Sequence, residues 1–376
     1  MNILCINYEY PPVGGGGGVV SHGLARTLVG MGYQIDVVTS GARGLPAFEE
    51  IEGVLVHRVP CVRLNRHYVT APELATVLHP LYKKALELTR RKTYAFNHTH
   101  FIVPSGYVSY KLWQKTGLPY LITAHGSDVP GYNPDRFDLM HRFIRKPWST
   151  VIKNSLQITR PSCYLKDLLL KKIDHPVTII PNGFNFSTER TAVQTKRNRI
   201  VLVTRMFERK GVQFFLRAIA GLKTDWEILI AGDGPYLPKL KEEARKNNAP
   251  VTFLGFIQGR QLTELYQSAK IFVFPSIQEN FPVVLLEAMN AGCAVITTTA
   301  PGCVEVVDDA AVLVGPGEVT QLRQALIDLM HDPLAIETHA ARGLKRAEEF
   351  YWPNVARQFD ELFRTLPLAN HPARKG

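Results

Sequence analysis

The chain has 376 residues, 45% apolar and 20% charged, which suits two ordinary globular domains and excludes wholesale disorder. No apolar run approaches the ~20 residues of a membrane span, and no basic-then-apolar leader precedes the first strand at about Asn2. The formal charge of +11 is uneven: residues 1–180 hold 21 Lys and Arg against 12 Asp and Glu, a net of +9, and the remainder a net of +2. A basic first half suits nucleic acid, an anionic membrane surface or a phosphorylated substrate, or is a set of solvated faces. The five cysteines form no CxxC pair and have apolar neighbours, so buried thiols in a reducing cytoplasm are expected.

In chain order, "NILCIN" reads as a buried strand. A helix from about Gly17 to Met31 follows, with Leu24, Leu28 and Met31 on one face, and "YQIDVVTS" is the next strand. Strand-like runs recur at "VLVHRVP", "AFNHTHF", "PYLITAH", "LQITRP" and "VTIIPNG". Helical stretches separate them at Pro72–Arg91, Ser105–Lys115, Arg136–Lys153 and Ser162–Leu170. This alternation predicts crossover units on a mostly parallel sheet. The apolar pattern lapses at Ser187–Asn198 and then restarts with "RIVLVTR", "WEILIAG", "VTFLG", "IFVFPS", "CAVITT" and "AVLVG", with helices from Gly211, Pro235, Arg260 and about Pro282. The helices from Thr320 onward are too long for simple crossovers. The expected fold is α/β, with two doubly wound, Rossmann-like domains over residues 1–185 and 186–352 and a helix and tail over 353–376. Ligands of open parallel sheets sit outside the carboxyl ends of the strands, so chemistry is expected in a cleft where the two domains face each other.

The run Gly14–Gly18 lies between the first strand and its helix, where a slack tether would loosen the domain. A P-loop would end in Gly-Lys-Ser/Thr, but Gly18 is followed by Val19. A dinucleotide fingerprint fails as well: Gly16, Gly18 and Ser21 leave its last glycine unfilled, and the second strand ends in Thr39-Ser40 rather than an acid. What survives is general. Backbone N–H groups at a helix start favour an anion, and glycine lets a ligand approach the main chain closely.

The second half is sharper. "PSIQENFPVVLLEAMNAG" holds Glu279 just before a helix expected to start at Phe281 or Pro282, and Glu287 in its second turn, leaning back toward the same mouth. Carboxylates there suit hydroxyls, and the helix-start amides suit a phosphate. Two solvated glutamates would not explain the buried character of the flanking residues. Arg205 after a strand and Lys210 at the next helix start suit a pyrophosphate, although basic loop residues are common. Asp233 in "GDGP" fits a turn or cap. "ITAHGSD" ends a strand of the first domain with His125 and Asp128.

These residues resemble a known family. "YPPVGGGGG", "HGSD", "PNGF", "RMFERKG", "GDGP", "FLG" and "QENFPVVLLEAMNAG", with its E-x7-E, occur in family order over nearly the whole chain. The chain is similar to retaining glycosyltransferases of the group 1 (GT4) family, which have the GT-B fold. The resemblance implies two Rossmann-like domains across a cleft, with the C-terminal helices packing back toward the first. It implies a nucleoside-diphosphate-sugar donor, UDP- or GDP-linked, and a glycan, lipid-linked or small-molecule acceptor. By position, Glu287 would hold the donor ribose. Glu279 and the backbone near Asn280, Phe281 and Val283 would hold the sugar. Arg205 and Lys210 would bind the diphosphate, and Phe256 and Ile257 would lie near the base. Gly16, Gly17 and Gly18 would approach from the other domain, with His125 at the transferred sugar and Asp128 supporting it. The catalytic set implied is His125, Arg205, Lys210 and Glu279.

Breaking a sugar–phosphate bond leaves charge on the nucleoside diphosphate, and fixed cations stabilise it. The sequence has no Asp-x-Asp, so neither a metal nor a further cofactor is expected. Two departures stand out. The family's E-G-F-G is here Glu279-Asn280-Phe281-Pro282, where Pro282 removes a possible N–H; its P-N-G-[VI]-D ends here in Phe184-Asn185. The basic runs Lys83–Lys92 and His141–Trp148 suit an anionic membrane face or a lipid-linked diphosphate, or are ordinary solvated helix faces. The resulting expectation is a cytoplasmic enzyme, peripheral at most, that binds no nucleic acid. Rival readings are an epimerase or phosphorylase of similar fold and a non-catalytic sugar-nucleotide binder.

Overall fold

The computed structural model describes residues 1–63, 70–132, 134–185 and 196–367. Residues 187–195 of the polar stretch and 368–376 of the expected tail lie outside the described residues. The chain divides into two compact units, Met1–Gly183 with Trp352–Gly376, and Phe184–Tyr351.

The first unit opens with β1 (Asn2–Ile6), α1 (Gly16–Gly30), β2 (Gln34–Ser40), β3 (Phe48–Ile51) and β4 (Val54–Val59). It continues with α2 (Ala71–Arg91), β5 (Phe96–His100), α3 (Ser105–Thr116) and β6 (Tyr120–Thr123). The unit's sheet is completed through α4 (Pro134–Lys153), β7 (Ile158–Arg160), α5 (Cys163–Leu170) and β8 (Val177–Ile179). Its sheet runs β3-β4-β2-β1-β5-β6-β7-β8. Every pairing is parallel except β3 with β4. Both faces are covered, as a parallel sheet requires. Ile3 and Cys5 of β1 join one apolar cluster and Leu4 and Ile6 the opposite one. The short, half-polar β3 at the sheet edge was not expected, because "FEEI" carries too little apolar alternation to read as a strand.

The second unit contains β9 (Arg197–Val203), α6 (Val212–Ala218), β10 (Glu227–Ala231), α7 (Leu237–Lys246), β11 (Thr252–Gly255) and α8 (Gly259–Ser268). After these come β12 (Ala269–Phe274), α9 (Val283–Asn290), β13 (Ala294–Thr298), α10 (Pro301–Val307), β14 (Ala311–Val314), α11 (Val319–His331) and α12 (Pro333–Glu348). The order is β11-β10-β9-β12-β13-β14, wholly parallel. Val201, Leu229 and Phe272 face one cluster, and Ile200, Ile228 and Ile271 the other.

The last helix, α13 (Trp352–Thr365), belongs to the first unit. Val355, Ala356, Phe359 and Phe363 form its apolar face, which packs on Leu24, Leu28 and Phe96. Cys5, Cys293 and Cys303 are buried as expected, but Cys163, at the first position of α5, is exposed. No described helix is long and apolar enough to cross a membrane.

Candidate active site

In the second unit, β9 lies between β10 and β12, so successive connections leave it in opposite directions. Such a reversal opens a crevice at the carboxyl ends of the two strands. Lys210, in a 3-10 turn after β9, and Glu279, after β12, meet there: Lys210 Nζ donates to Glu279 Oε1, and both side chains are less than a tenth exposed. Ser276 Oγ lies 2.7 Å from the same carboxylate oxygen, and Thr298 Oγ1 donates to the Ser276 carbonyl at 2.5 Å. Lys210 Nζ is also 5.6 Å from the centroid of the Phe274 ring.

The two loops are joined by their backbones. Ile277 N donates to the Arg209 carbonyl at 2.9 Å. At Gly211 (φ +70) a Cβ would lie 1.9 Å from the Pro275 carbonyl oxygen, so only glycine allows this approach. Arg205 is exposed on the same loop, its Cζ 5.7 Å from the centroid of the Phe207 ring. Asp233 Oδ1 accepts its neighbour Gly234 N at 2.7 Å, the turn role that its position suggested.

Helix α9 begins at Val283, with Pro282 as its N-cap, so the start expected at Phe281 or Pro282 is corrected by one or two residues. Pro282 has an extended ψ of 97°, and its missing N–H falls outside the helix. The first turn carries no acidic residue and no side-chain cap bond, which leaves the positive end of the helix for another anion. Asn280 and Phe281 are buried beside it and Val283 is half-buried. Glu287 lies in the second turn, where Tyr266 Oη donates to its Oε2 at 2.9 Å. Burial raises its carboxyl pKa, and the tyrosine bond partly offsets that rise. Phe256 and Ile257 follow β11, two strands from β9. Phe256 is 69% exposed, while Ile257 packs against the core.

In the first unit the connections reverse between β1 and β5. The glycine run follows β1, and Gly16, Gly17 and Gly18 form the first turn of α1, one residue earlier than expected. Glu9 Oε2 accepts Gly15 N at 3.0 Å. Gly14 has φ +105, and a Cβ there would lie 2.5 Å from Glu9 Cβ. Gly14 is therefore a required glycine. A Cβ at Gly17 would lie 2.3 Å from Phe101 Cζ and 3.4 Å from His125 Cγ, whereas one at Gly16 would meet nothing within 4 Å.

His125 follows β6. Its Nε2 lies 3.0 Å from His100 Nδ1, and its ring centroid is 4.6 Å from that of Phe101. Burial holds its pKa down at about 3, well below the ordinary range, so the imidazole is neutral. Asp128 supports the loop rather than the ring. Its Oδ1 accepts His125 N at 3.0 Å and Gly126 N at 2.9 Å, and its Oδ2 accepts Ile102 N at 2.8 Å. Burial raises its pKa against these backbone bonds.

Within the second unit the structure thus brings Lys210 and Glu279 together, with α9 and Glu287 alongside. Within the first it gathers Gly17, His125 and Asp128. Sequence reasoning missed Ser276, Tyr266, His100 and Phe101. Ser276 stands three residues before Glu279, which was its only signal; Tyr266, His100 and Phe101 carry no spacing that points to the site.

Known proteins share the sequence family and the fold of this chain. A family model described as glycosyl transferases group 1 matches residues 197–332, and one described as glycosyltransferase family 4 matches residues 14–188. An uncharacterised glycosyltransferase of Methanocaldococcus jannaschii, MJ1607, is 27% identical over 97% of this chain and 98% of its own. Among solved structures, a sucrose-phosphate synthase from Thermosynechococcus elongatus superposes with a TM-score of 0.81 at 22% identity, covering 96% of this chain and 98% of its own. Anabaena HepE, crystallised with UDP and glucose, superposes at 0.75 and 17% identity, covering 97% of this chain and 100% of its own. The two family models between them take in most of both units, and the chain belongs to the group 1, GT4-type glycosyltransferases, with the GT-B fold.

Proposed function

We propose that this glycosyltransferase moves a sugar, with retention of anomeric configuration and without a metal, from a nucleoside-diphosphate sugar to a hydroxyl of a glycan, lipid-linked or small-molecule acceptor. The observation that carries the reading is the Lys210–Glu279 pair at the strand reversal of the second sheet, beside the uncapped start of α9. Negative charge grows on the departing diphosphate. Lys210, held by Glu279, and the α9 amides are preorganised donors for that charge, and the exposed Arg205 adds a second cation on the same loop. Glu279 and the Asn280–Val283 backbone hold the sugar, Glu287 the ribose, and Phe256 and Ile257 the base. Gly16, Gly17 and Gly18 contribute a bare helix turn and His125 a neutral imidazole to the sugar, on the loop shaped by Asp128. A fixed cation in place of a bridging metal supports metal independence, as does the lack of an Asp-x-Asp sequence. The HepE complex with UDP favours UDP-sugars as the first donors to try.

The test is a panel of UDP- and GDP-sugars, assayed for released nucleotide with and without acceptors, and with EDTA. Acceptor-dependent release that EDTA does not change is expected, with an α-configured product from an α-linked donor. Sugar interconversion without acceptor, a requirement for inorganic phosphate, or binding without turnover would replace this reading with an epimerase, a phosphorylase or a binding protein, respectively.

A further inference from the structure

At the end of β5 the backbone takes a conformation that ordinary residues avoid: Phe101 has φ +71. A left-handed aromatic residue costs on the order of 1–2 kcal/mol. In a continuing strand, successive side chains point to opposite faces, so His100 and Phe101 would part. The reversal brings both onto one ring. His100 stacks on His125 with centroids 5.2 Å apart and planes at 17°, and Phe101 lies against the same imidazole at 4.6 Å and 45°. The turn is held by Phe101 N to the Thr123 carbonyl at 2.9 Å and by Ile102 N to Asp128 Oδ2 at 2.8 Å.

We propose that His100 is a positioning residue for the transfer reaction: its ring, hydrogen-bonded to His125 and stacked on it, holds that imidazole in one orientation and a single tautomer. The inference rests on the sugar-contacting role read for His125. Two neutral imidazoles share one proton between Nδ1 of His100 and Nε2 of His125, so whichever ring donates fixes the tautomer of both. A second proton would place a cation among groups ill-suited to it. From β5, His98 stacks near His100, with centroids 4.6 Å apart, and is itself bonded to Thr123 Oγ1 at 2.7 Å. From the His125 loop, the Asp128 carboxylate is committed to three backbone N–H groups. From α1, the first turn brings only glycine and valine; from α13, Phe359 covers His98.

The experiment measures kcat and KM from pH 5 to 8 for the wild type, His100→Phe, His100→Asn and His125→Ala, using the best donor and acceptor of the panel. His100→Asn keeps a polar atom near the Nδ1 position and is expected to stay within about threefold of wild-type kcat. His100→Phe should lose about tenfold or more in kcat with donor KM little changed, because the buried imidazole of His125 is then no longer held in one tautomer. A folded His100→Phe with wild-type kcat, beside an inactive His125→Ala, overturns the proposal. An active His125→Ala instead removes the role of His125. Nitrogen-15 NMR of the wild-type imidazoles then decides the pairing, and does so equally if His100→Phe fails to fold. One neutral tautomer persisting to pH 5 supports it, and a rapidly exchanging mixture overturns it.

Discussion

A lysine and a glutamate that are both nearly buried cost desolvation energy that only their mutual contact and further hydrogen bonds repay. Lys210 and Glu279 meet this condition, with Ser276 and Thr298 completing the network. Lys210→Met leaves a buried carboxylate and is expected to cost about 3–5 kcal/mol in denaturant unfolding. Adding Glu279→Gln should recover much of that loss; a double variant no more stable than the single one would contradict the coupling. The glycine run gives a second residue-level contrast. Gly14→Ala meets a left-handed backbone and the Glu9 side chain, so it should destabilise by about 1–3 kcal/mol. Gly16→Val has open space around its Cβ and should change stability by less than about 1 kcal/mol. On the proposed reading it should nonetheless cut turnover sharply, which separates a substrate-facing glycine from a structural one.

At the scale of elements, β5 and β6 bury three histidines. Burial holds His98 and His125 down at about 3 and His100 well below its ordinary value, with repulsion from neighbouring imidazoles adding to the shifts of His98 and His100. The unfolded chain takes up these protons near pH 6.5 and the folded chain does not. Stability therefore falls as pH drops from about 6.5 toward 3, by up to about 1.4 kcal/mol per pH unit for each histidine. Urea midpoints at pH 7 and pH 5 should differ clearly, and His98→Gln should flatten the slope; equal midpoints would contradict neutral burial. On α2, Lys84 and Arg91 pair with Glu87, and Lys92 pairs with Asp36 on β2. The expected attraction to an anionic membrane therefore rests on the exposed Lys83 and Arg90 of the first basic run and Arg145 and Lys146 of the second, whose side chains at 141–143 lie outside the described residues. Salt-sensitive flotation with anionic vesicles is its expected signature, and absence of flotation at low salt would remove it. Most strands and helices were legible in the sequence because parallel strands buried on both faces read as continuous apolar runs. The edge strand β3 and the short α10 were not, since neither buries enough periodic apolar surface to leave a pattern. The turn at Phe101 was also hidden. Its left-handed backbone is imposed by Asp128 and Thr123, distant in sequence, on a residue whose own preference opposes it.

At the scale of the molecule, each sheet reverses its winding once, and each set of site residues gathers at the carboxyl ends of the strands at or near that reversal: β9 and β12 carry Lys210 and Glu279, and β1, β5 and the adjacent β6 carry the glycine run, His100 and His125. This general rule, with the ordered motifs, made Lys210, Glu279 and His125 legible from sequence. His100, the partner of His125, and Tyr266, the partner of Glu287, arrive by tertiary packing, which no spacing encodes. The central claim is that Lys210 and Glu279 act on the donor. The most direct test is donor turnover by the Lys210→Met/Glu279→Gln double variant, with its thermal midpoint measured beside that of the wild type. The account predicts a folded protein whose kcat/KM falls by about a thousandfold, as loss of a fixed charge at a developing diphosphate would produce. A folded double variant with wild-type turnover would contradict it.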